Sequence, residues 1–300
     1  MGSSTSAAPA GRAPLISLRQ PHPQEAGALG QIAFDSFRAI SDKHAVPLEF
    51  PTVEAATGLI GMSIAHPAFW GVVAECDGVP VGSNFLDERD AIRGVGPVTV
   101  VPPQQGHGIG RLLMKAVLDH GRDAPGIRLL QDAANPVSLS LYASLGFEVK
   151  EPVVRMTGRP RTAPVSALAV RPMEQVDLAR ANELATAVHG YSRNGAVRDA
   201  LGTLRPFVAE RGGDLVVYVT TASFYPASHA VARTDEDLLG LLLGAAAQID
   251  EPLDLLVPIR QVQVYRRMLS WGLRTIKPIT LMALGDYREP RGAWLPSILY

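Results

Sequence analysis

The sequence predicts an α/β protein, of the α+β mixed-sheet kind, whose unit occurs twice along the chain, the second copy shortened and degenerate. Three observations carry this expectation. Strand and helix patterns alternate in order through the first half; a glycine-rich turn, Gln105-Gly106-His107-Gly108-Ile109-Gly110, joins a strand to a helix; and short segments of the second half repeat segments of the first. A chain of 300 residues suits two domains of ordinary size, each with a core of its own.

Residues 1–14, rich in Ser, Ala and Pro, read as a flexible leader. Ile16 to Arg19 follows as a short strand, and Gln24 to Phe37 and Val53 to Ala65 carry helical apolar spacing. Phe69 to Cys76 and Val79 to Phe85 form a hairpin, because Asp77-Gly78 between apolar runs is a strong turn signal. Val95 to Val101 is a third strand, stopped by Pro102-Pro103. A helix runs from Gly108 to His120 with Leu112, Leu113, Met114, Val117 and Leu118 on one side, and Gly121 stops it. Ile127 to Gln131 is a buried strand, Ser138 to Leu145 a short helix closed by Gly146, and Phe147 to Val154 extended again.

Residues 159–166 lack periodicity and read as a linker, which separates a first domain at 15–158 from a second at 167–300. Beyond it, Val170-Arg171 echoes Leu18-Arg19, Val208 to Gly213 echoes Val73 to Gly78, and Trp271-Gly272-Leu273 echoes Leu145-Gly146-Phe147. The order is kept while the spacing between the copies shrinks, the pattern of a duplication with deletions.

Composition narrows the function. Lys plus Arg number 28 against 29 Asp plus Glu, so no global field favours a nucleic acid or an acidic membrane surface. A single cysteine, Cys76, leaves no intrachain disulfide and too few sulfur ligands for a Cys-rich zinc site, so no metal is expected. With no apolar run of ~20 residues and no secretory signal, a cytoplasmic protein, monomeric or homodimeric, is expected. The start also fits Met-Gly-x-x-x-Ser, ending at Ser6, a myristoylation signal for Gly2 in eukaryotes; a plain leader of small residues matches it by chance.

The glycine-rich turn has a physical use. Gly106, Gly108 and Gly110 let the backbone lie close to a ligand, and the free N–H groups and dipole at the start of the following helix stabilise an anion such as a diphosphate. The turn has no Gly-Lys-Ser/Thr, which disfavours ATP, and its glycine spacing is not the dinucleotide fingerprint, which disfavours NAD.

The run Val100-Val101-Pro102-Pro103-Gln104-Gln105-Gly106-His107-Gly108-Ile109-Gly110-Arg111 resembles the acyl-CoA motif of the GNAT superfamily of N-acetyltransferases, Gln/Arg-x-x-Gly-x-Gly/Ala. Asn135 to Phe147, with Tyr142 and Gly146-Phe147, resembles that family's second motif, with Ser138 where Ala is usual. The resemblance covers residues 16 to about 157. It implies acetyl-CoA or another acyl-CoA as co-substrate in a direct N-acyl transfer to a primary amine; a polyamine, an amino sugar, an amino acid or a protein N-terminus would each fit, and the near-neutral charge with a second domain over the pocket favours a small molecule. It also implies that the amides of Gln105, Gly106, His107, Gly108, Ile109, Gly110 and Arg111 hold the pyrophosphate. The strand edge at Val100 and Val101 would pair with the pantetheine amides, Asn135 would reach the arm from the other side, and Tyr142 would protonate the departing thiolate.

The strand Val95 to Val101 departs from the family in carrying no carboxylate or histidine, so the usual place for a general base is empty. Asp87, Glu88 and Asp132 are candidates to orient or deprotonate the amine, set against the plain reading that charges near strand ends are solvated. Glu75 is expected to face outward from its hairpin. The second copy has Asp235, Glu236 and Asp237 where the loop should be, so it is expected not to bind CoA and instead to shape the acceptor pocket, with Tyr287, Trp294 and Tyr300 as lining candidates. The alternative is a non-catalytic acyl-CoA-binding or regulatory module.

Overall fold

The computed structural model describes residues 15–162 and 168–299; the leader with Gly2, the latter part of the 159–166 linker and Tyr300 lie outside the described residues. The first half runs β1 (Ile16–Arg19), α1 (Ala26–His44), α2 (Val53–Ala65), β2 (Phe69–Cys76), β3 (Val79–Asp87), β4 (Ile92–Val95), β5 (Thr99–Val100), α3 (Ile109–His120), β6 (Gly126–Asp132), α4 (Pro136–Ser144) and β7 (Glu148–Gly158). Asp77 and Gly78 both have positive φ, as a two-residue hairpin turn that follows the strand twist requires. The two faces of the sheet are covered by different helices. Leu113, Met114 and Val117 of α3 pack on Val72, Ala74, Leu86, Ile127 and Leu129, while Leu29 and Ala33 of α1 and Ala56 and Ile60 of α2 pack on Val73 and Phe85.

The strand expected from Val95 to Val101 is two strands. Its first part begins earlier, at Ile92, and breaks at Gly96-Pro97, where proline has no N–H for a ladder. β4 pairs in parallel with β6 from Ile92↔Gly126 to Gly94↔Arg128, whereas β5 pairs with β3 alone, through Gly82↔Val100 and Ser83↔Thr99. Past Gly94 the sheet therefore divides, and a slot opens between β5 and the end of β6.

The second half repeats the order with β8 (Ala169–Pro172), α5 (Leu178–His189), α6 (Asn194–Thr203), β9 (Phe207–Arg211), β10 (Asp214–Val219), the single strand β11 (Ala230–Ala232) where the first half has β4 and β5, α7 (Asp235–Ala246), β12 (Leu253–Pro258), α8 (Val262–Ser270) and β13 (Arg274–Gly285), followed by β14 (Ala293–Leu295). Side-chain chemistry repeats with it. Arg19 bridges Glu25 and Glu75, so Glu75 is held in an ion pair on the hairpin; Arg171 bridges Asp177 and Glu210 in the same way. Gly146 and Gly272, with φ of 94° and 95°, end α4 and α8, and the next amides, of Phe147 and Leu273, donate back to Tyr142 and Met268.

The halves exchange their long final strands. Among the described residues the first sheet has the order β1-β2-β3-β4-β6-β13-β7-β12, so β13 of the second half lies between β6 and β7 of the first, and β7 pairs with β12 of the second. The other sheet runs β14-β11-β10-β9-β8. Asp90 in the first half accepts the Gly195 and Ala196 amides at 2.9 and 3.1 Å and so caps α6 of the second. A side chain at Gly195 would collide with the Arg89 carbonyl, which is why this contact needs glycine.

Candidate active site

The glycine-rich loop joins β5 to α3. Gly106 and Gly108 take φ of 83° and 86°, a region costly to other residues, and open space surrounds both. Gly108 is the N-cap of α3, and Arg111 and Leu112 donate to its carbonyl, both at 3.1 Å. The amides that precede Arg111 have no acceptor within the helix. His107 is exposed, and Arg111 reaches Ser144 of α4 at 2.8 Å, which ties the loop to that helix. The loop thus offers unpaired backbone amides at a helix N-terminus, with Arg111 in its first turn, a combination suited to a diphosphate.

The strand edge beside the slot belongs to Val100 more than to Val101. The Val101 amide donates to Val81 at 2.8 Å and is committed to the sheet. Alternation then turns the amide and carbonyl of Val100 to the opposite edge. Its carbonyl accepts Ser36 Oγ at 2.8 Å and Gln105 Nε2 at 2.9 Å, so Ser36 of α1, which sequence reading missed, and the first residue of the loop both anchor this edge.

Across the slot, Asn135 caps α4: its Oδ1 accepts the Val137 and Ser138 amides at 3.2 and 3.3 Å. The side-chain NH2 remains as a donor. Tyr142, two turns further along α4, is half-buried beside Phe147, with ring centroids 6.2 Å apart. Desolvation pushes its phenol up to about 12, so it is a neutral hydrogen-bond donor throughout the physiological range.

The three candidate carboxylates are all in ion pairs. Asp87 is held by Arg89 at 2.6 and 2.9 Å, and Glu88 by Arg93 and, at 3.2 Å, His120; both stand at the end of β3 away from Val100. Asp132 pairs with Lys277 of β13 at 2.9 Å, and Lys277 also meets Glu49, in the α1–α2 connection, at 2.5 Å. Tyr225 donates to Glu49, and Arg155 lies over its ring at 4.1 Å while gripping Asp254. Burial works against the Lys277 ammonium, yet Glu49 and Asp132 hold it above its ordinary pKa. Sequence reading missed this cluster because its members come from six separate segments. Tyr287 packs under Arg128 and Lys150, and Trp294 is buried on β14.

Among the described residues no group of His, Cys, Asp and Glu could hold a metal ion, and no helix is long and apolar enough to cross a membrane. Residues 31–147 match the model of the Acetyltransferase (GNAT) family. A mycothiol acetyltransferase of Nocardiopsis dassonvillei is 41% identical over 73 residues, which span 24% of this chain and 19%, about a fifth, of that protein. Similar solved structures share the fold over nearly the whole chain. A putative acetyltransferase from Pyrococcus horikoshii has a TM-score of 0.75 at 17% identity, covering 95% of this chain and 94% of that one. A tandem GNAT protein from the clavulanic acid biosynthesis pathway has a TM-score of 0.57 at 13% identity, covering 93% and 99%. The match to the GNAT family model thus covers residues 31–147, within a two-unit fold that the similar structures share over nearly the whole chain.

Proposed function

We propose that this chain is an N-acyltransferase that moves the acyl group of an acyl-CoA, acetyl-CoA in the first instance, to the primary amine of a small molecule. The observation that carries the reading is the division of the sheet past Gly94, next to a glycine-rich loop that leads into a helix N-terminus: a slot with a strand edge on one side and unpaired helix amides suited to an anion nearby. Such a slot fits an arm that contains amides and ends in a diphosphate.

In this reading the pyrophosphate rests on the amides of the loop from Gln105 to Arg111, and the pantetheine lies along the open edge at Val100, with Asn135 Nδ2 reaching it from α4. The acceptor amine attacks the thioester carbonyl directly. Holding both reactants in one slot supplies most of the advantage, and an amide of the open edge stabilises the developing oxyanion. The Val101 amide is not available for that, being bonded to Val81. Tyr142 donates a hydrogen bond to the departing thiolate. The amine loses its proton through water, since Asp87, Glu88 and Asp132 are engaged with cations. In this reading the second half, tied to the first by the β13 exchange and by Lys277 with Glu49, forms a wall of the acceptor face, which supports a small acceptor over a protein chain.

The test is release of free thiol from acetyl-CoA in the presence of a panel of amines. Acceptor-dependent release supports transfer; tight CoA binding with no acceptor-dependent thiol from any amine would instead make the chain an acyl-CoA-binding or regulatory module.

A further inference from the structure

The second half is missing the phosphate loop but not the slot. β11 is the counterpart of β5: the Arg233 amide donates to Val216 at 3.0 Å as the Val101 amide donates to Val81, which aligns Ala232 with Val100. The connection from strand to helix is only Arg233-Thr234 in the second half, against residues 101–108 in the first, so the glycine-rich segment is absent. Asp237 turns inward instead, bonded to Thr234 and, at 2.6 Å, to Arg211. From the helix onward the two copies run at a constant offset, α3 with α7 and α4 with α8, which places Gln261, N-cap of α8, on Asn135, N-cap of α4.

The space between β11 and Gln261 is filled by the chain itself. β14 pairs antiparallel with the free edge of β11, through Ala230↔Leu295, Val231↔Trp294 and Ala232↔Ala293. Alternation turns the backbone of Trp294 the other way, and Gln261 takes both of its groups: the Trp294 amide donates to Oε1 at 2.9 Å, and Nε2 donates to the Trp294 carbonyl at 2.6 Å. A strand edge on one side and a helix-cap amide on the other thus hold one extended peptide.

We infer that the slot of the second half is a binding site for an extended peptide, derived from the place where an acyltransferase unit holds a pantetheine arm, and that β14 is its resident ligand. The site has a consequence for the first half. From β14 the chain passes to Ile298, whose amide donates to Pro226 at 3.0 Å, and to Leu299, 9% exposed and packed among Leu29, Ile60 and Phe85. A β-carbon at Gly94 would collide with the Leu299 carbonyl, so the segment lies against the point where β4 and β6 part. Gln261 is therefore a positioning residue: through β14 it sets the wall of the acceptor face, a role that rests on the transferase reading above.

The experiment uses the full chain with Gln261→Ala, followed by hydrogen exchange over residues 293–299 and by steady-state kinetics with acetyl-CoA and an accepted amine. With two hydrogen bonds gone, exchange at 293–295 should rise roughly tenfold or more while β7, β12 and β13 stay protected. The KM for the amine should rise several-fold, that for acetyl-CoA should stay put, and Gln261→Asn should restore part of both changes. If Gln261→Ala loses protection everywhere, Gln261→Glu, nearly the same shape, gives the same reading at 293–295. Unchanged exchange at 293–295 in these variants overturns the peptide site. A parent chain with no transferase activity leaves the exchange result standing and overturns only the transferase reading.

Discussion

Removing the Tyr142 hydroxyl separates two roles that its place on α4 allows. Desolvation pushes the phenol up to about 12, whereas a free thiol titrates near ~8.5. Passing the proton from phenol to thiolate would climb about 3.5 pK units, about 5 kcal/mol. Tyr142 therefore keeps its proton and acts by hydrogen-bonding the sulfur as charge develops there. A hydrogen bond to a charged group contributes ~1.5–3 kcal/mol, and water competes for a half-buried phenol, so the lower part of the range applies. Tyr142→Phe, which preserves the ring against Phe147, should then reduce kcat roughly tenfold to a hundredfold, with the KM for acetyl-CoA nearly unchanged. The rate deficit should be flat across pH 6–9, because the phenol does not titrate in that range. Thiol release in single-turnover and steady-state modes measures both quantities. Full activity in the variant would assign Tyr142 to packing and leave the thiolate to solvent; a loss confined to KM would mean the hydroxyl binds CoA in the ground state.

Further expectations follow from other parts of the structure. Gly108→Val, at φ of 86°, should weaken CoA binding at least tenfold, ~1.4 kcal/mol, in a calorimetric titration; equal affinity with an intact fold would put the pyrophosphate elsewhere. The same titration on the parent should give one CoA per chain, since the second slot holds β14 and lacks the loop; two per chain would contradict that occupancy. Lys277→Met should destabilise the fold by about 3–5 kcal/mol in urea unfolding, because Glu49 and Asp132 lose their shared cation in a site where Lys277 is only 5% exposed; a stability equal to the parent would show the trio to be solvated. His189 and His229 are buried: desolvation, then Arg193, lowers His189 to about 3 and His229 well below its usual value. The unfolded chain binds protons at these positions below ~6.5 and the folded one does not, so stability should fall as pH drops from about 6.5 towards 3, by up to ~1.4 kcal/mol per pH unit for each histidine. Replacing either by Phe should flatten that slope, and an unaltered slope would assign acid unfolding to other groups.

Much of the site was legible because it is local. The loop needs glycines at particular φ values, a helix start immediately after them and a capping Asn before Pro136, and each of these is written in adjacent residues. The echoes at Arg171, Glu210 and Gly272 were legible for the same reason, since ion pairs and helix ends recur with the turns that hold them. Gln261 had a signal that could have found it, the constant offset from Asn135, but its partner did not: nothing near Trp294 in sequence says which strand edge it will meet.

By itself the sequence determined the mixed α/β class, the hairpin at Asp77-Gly78, the helices on either side of the slot and the glycine-rich turn that starts α3, because these depend on backbone preferences and apolar periodicity over a few residues. Only the tertiary structure decided that β4 and β5 are separate strands, that Val101 is committed to Val81 while Val100 faces the slot, and that β7 and β13 change places between the halves. It alone brought Glu49, Asp132, Tyr225 and Lys277 together and seated β14 against Gln261. The reason is that strand pairing is a contest among edges far apart in sequence, with similar backbone hydrogen bonds on offer at each. Side-chain packing across the whole molecule, not local propensity, selects which edges meet.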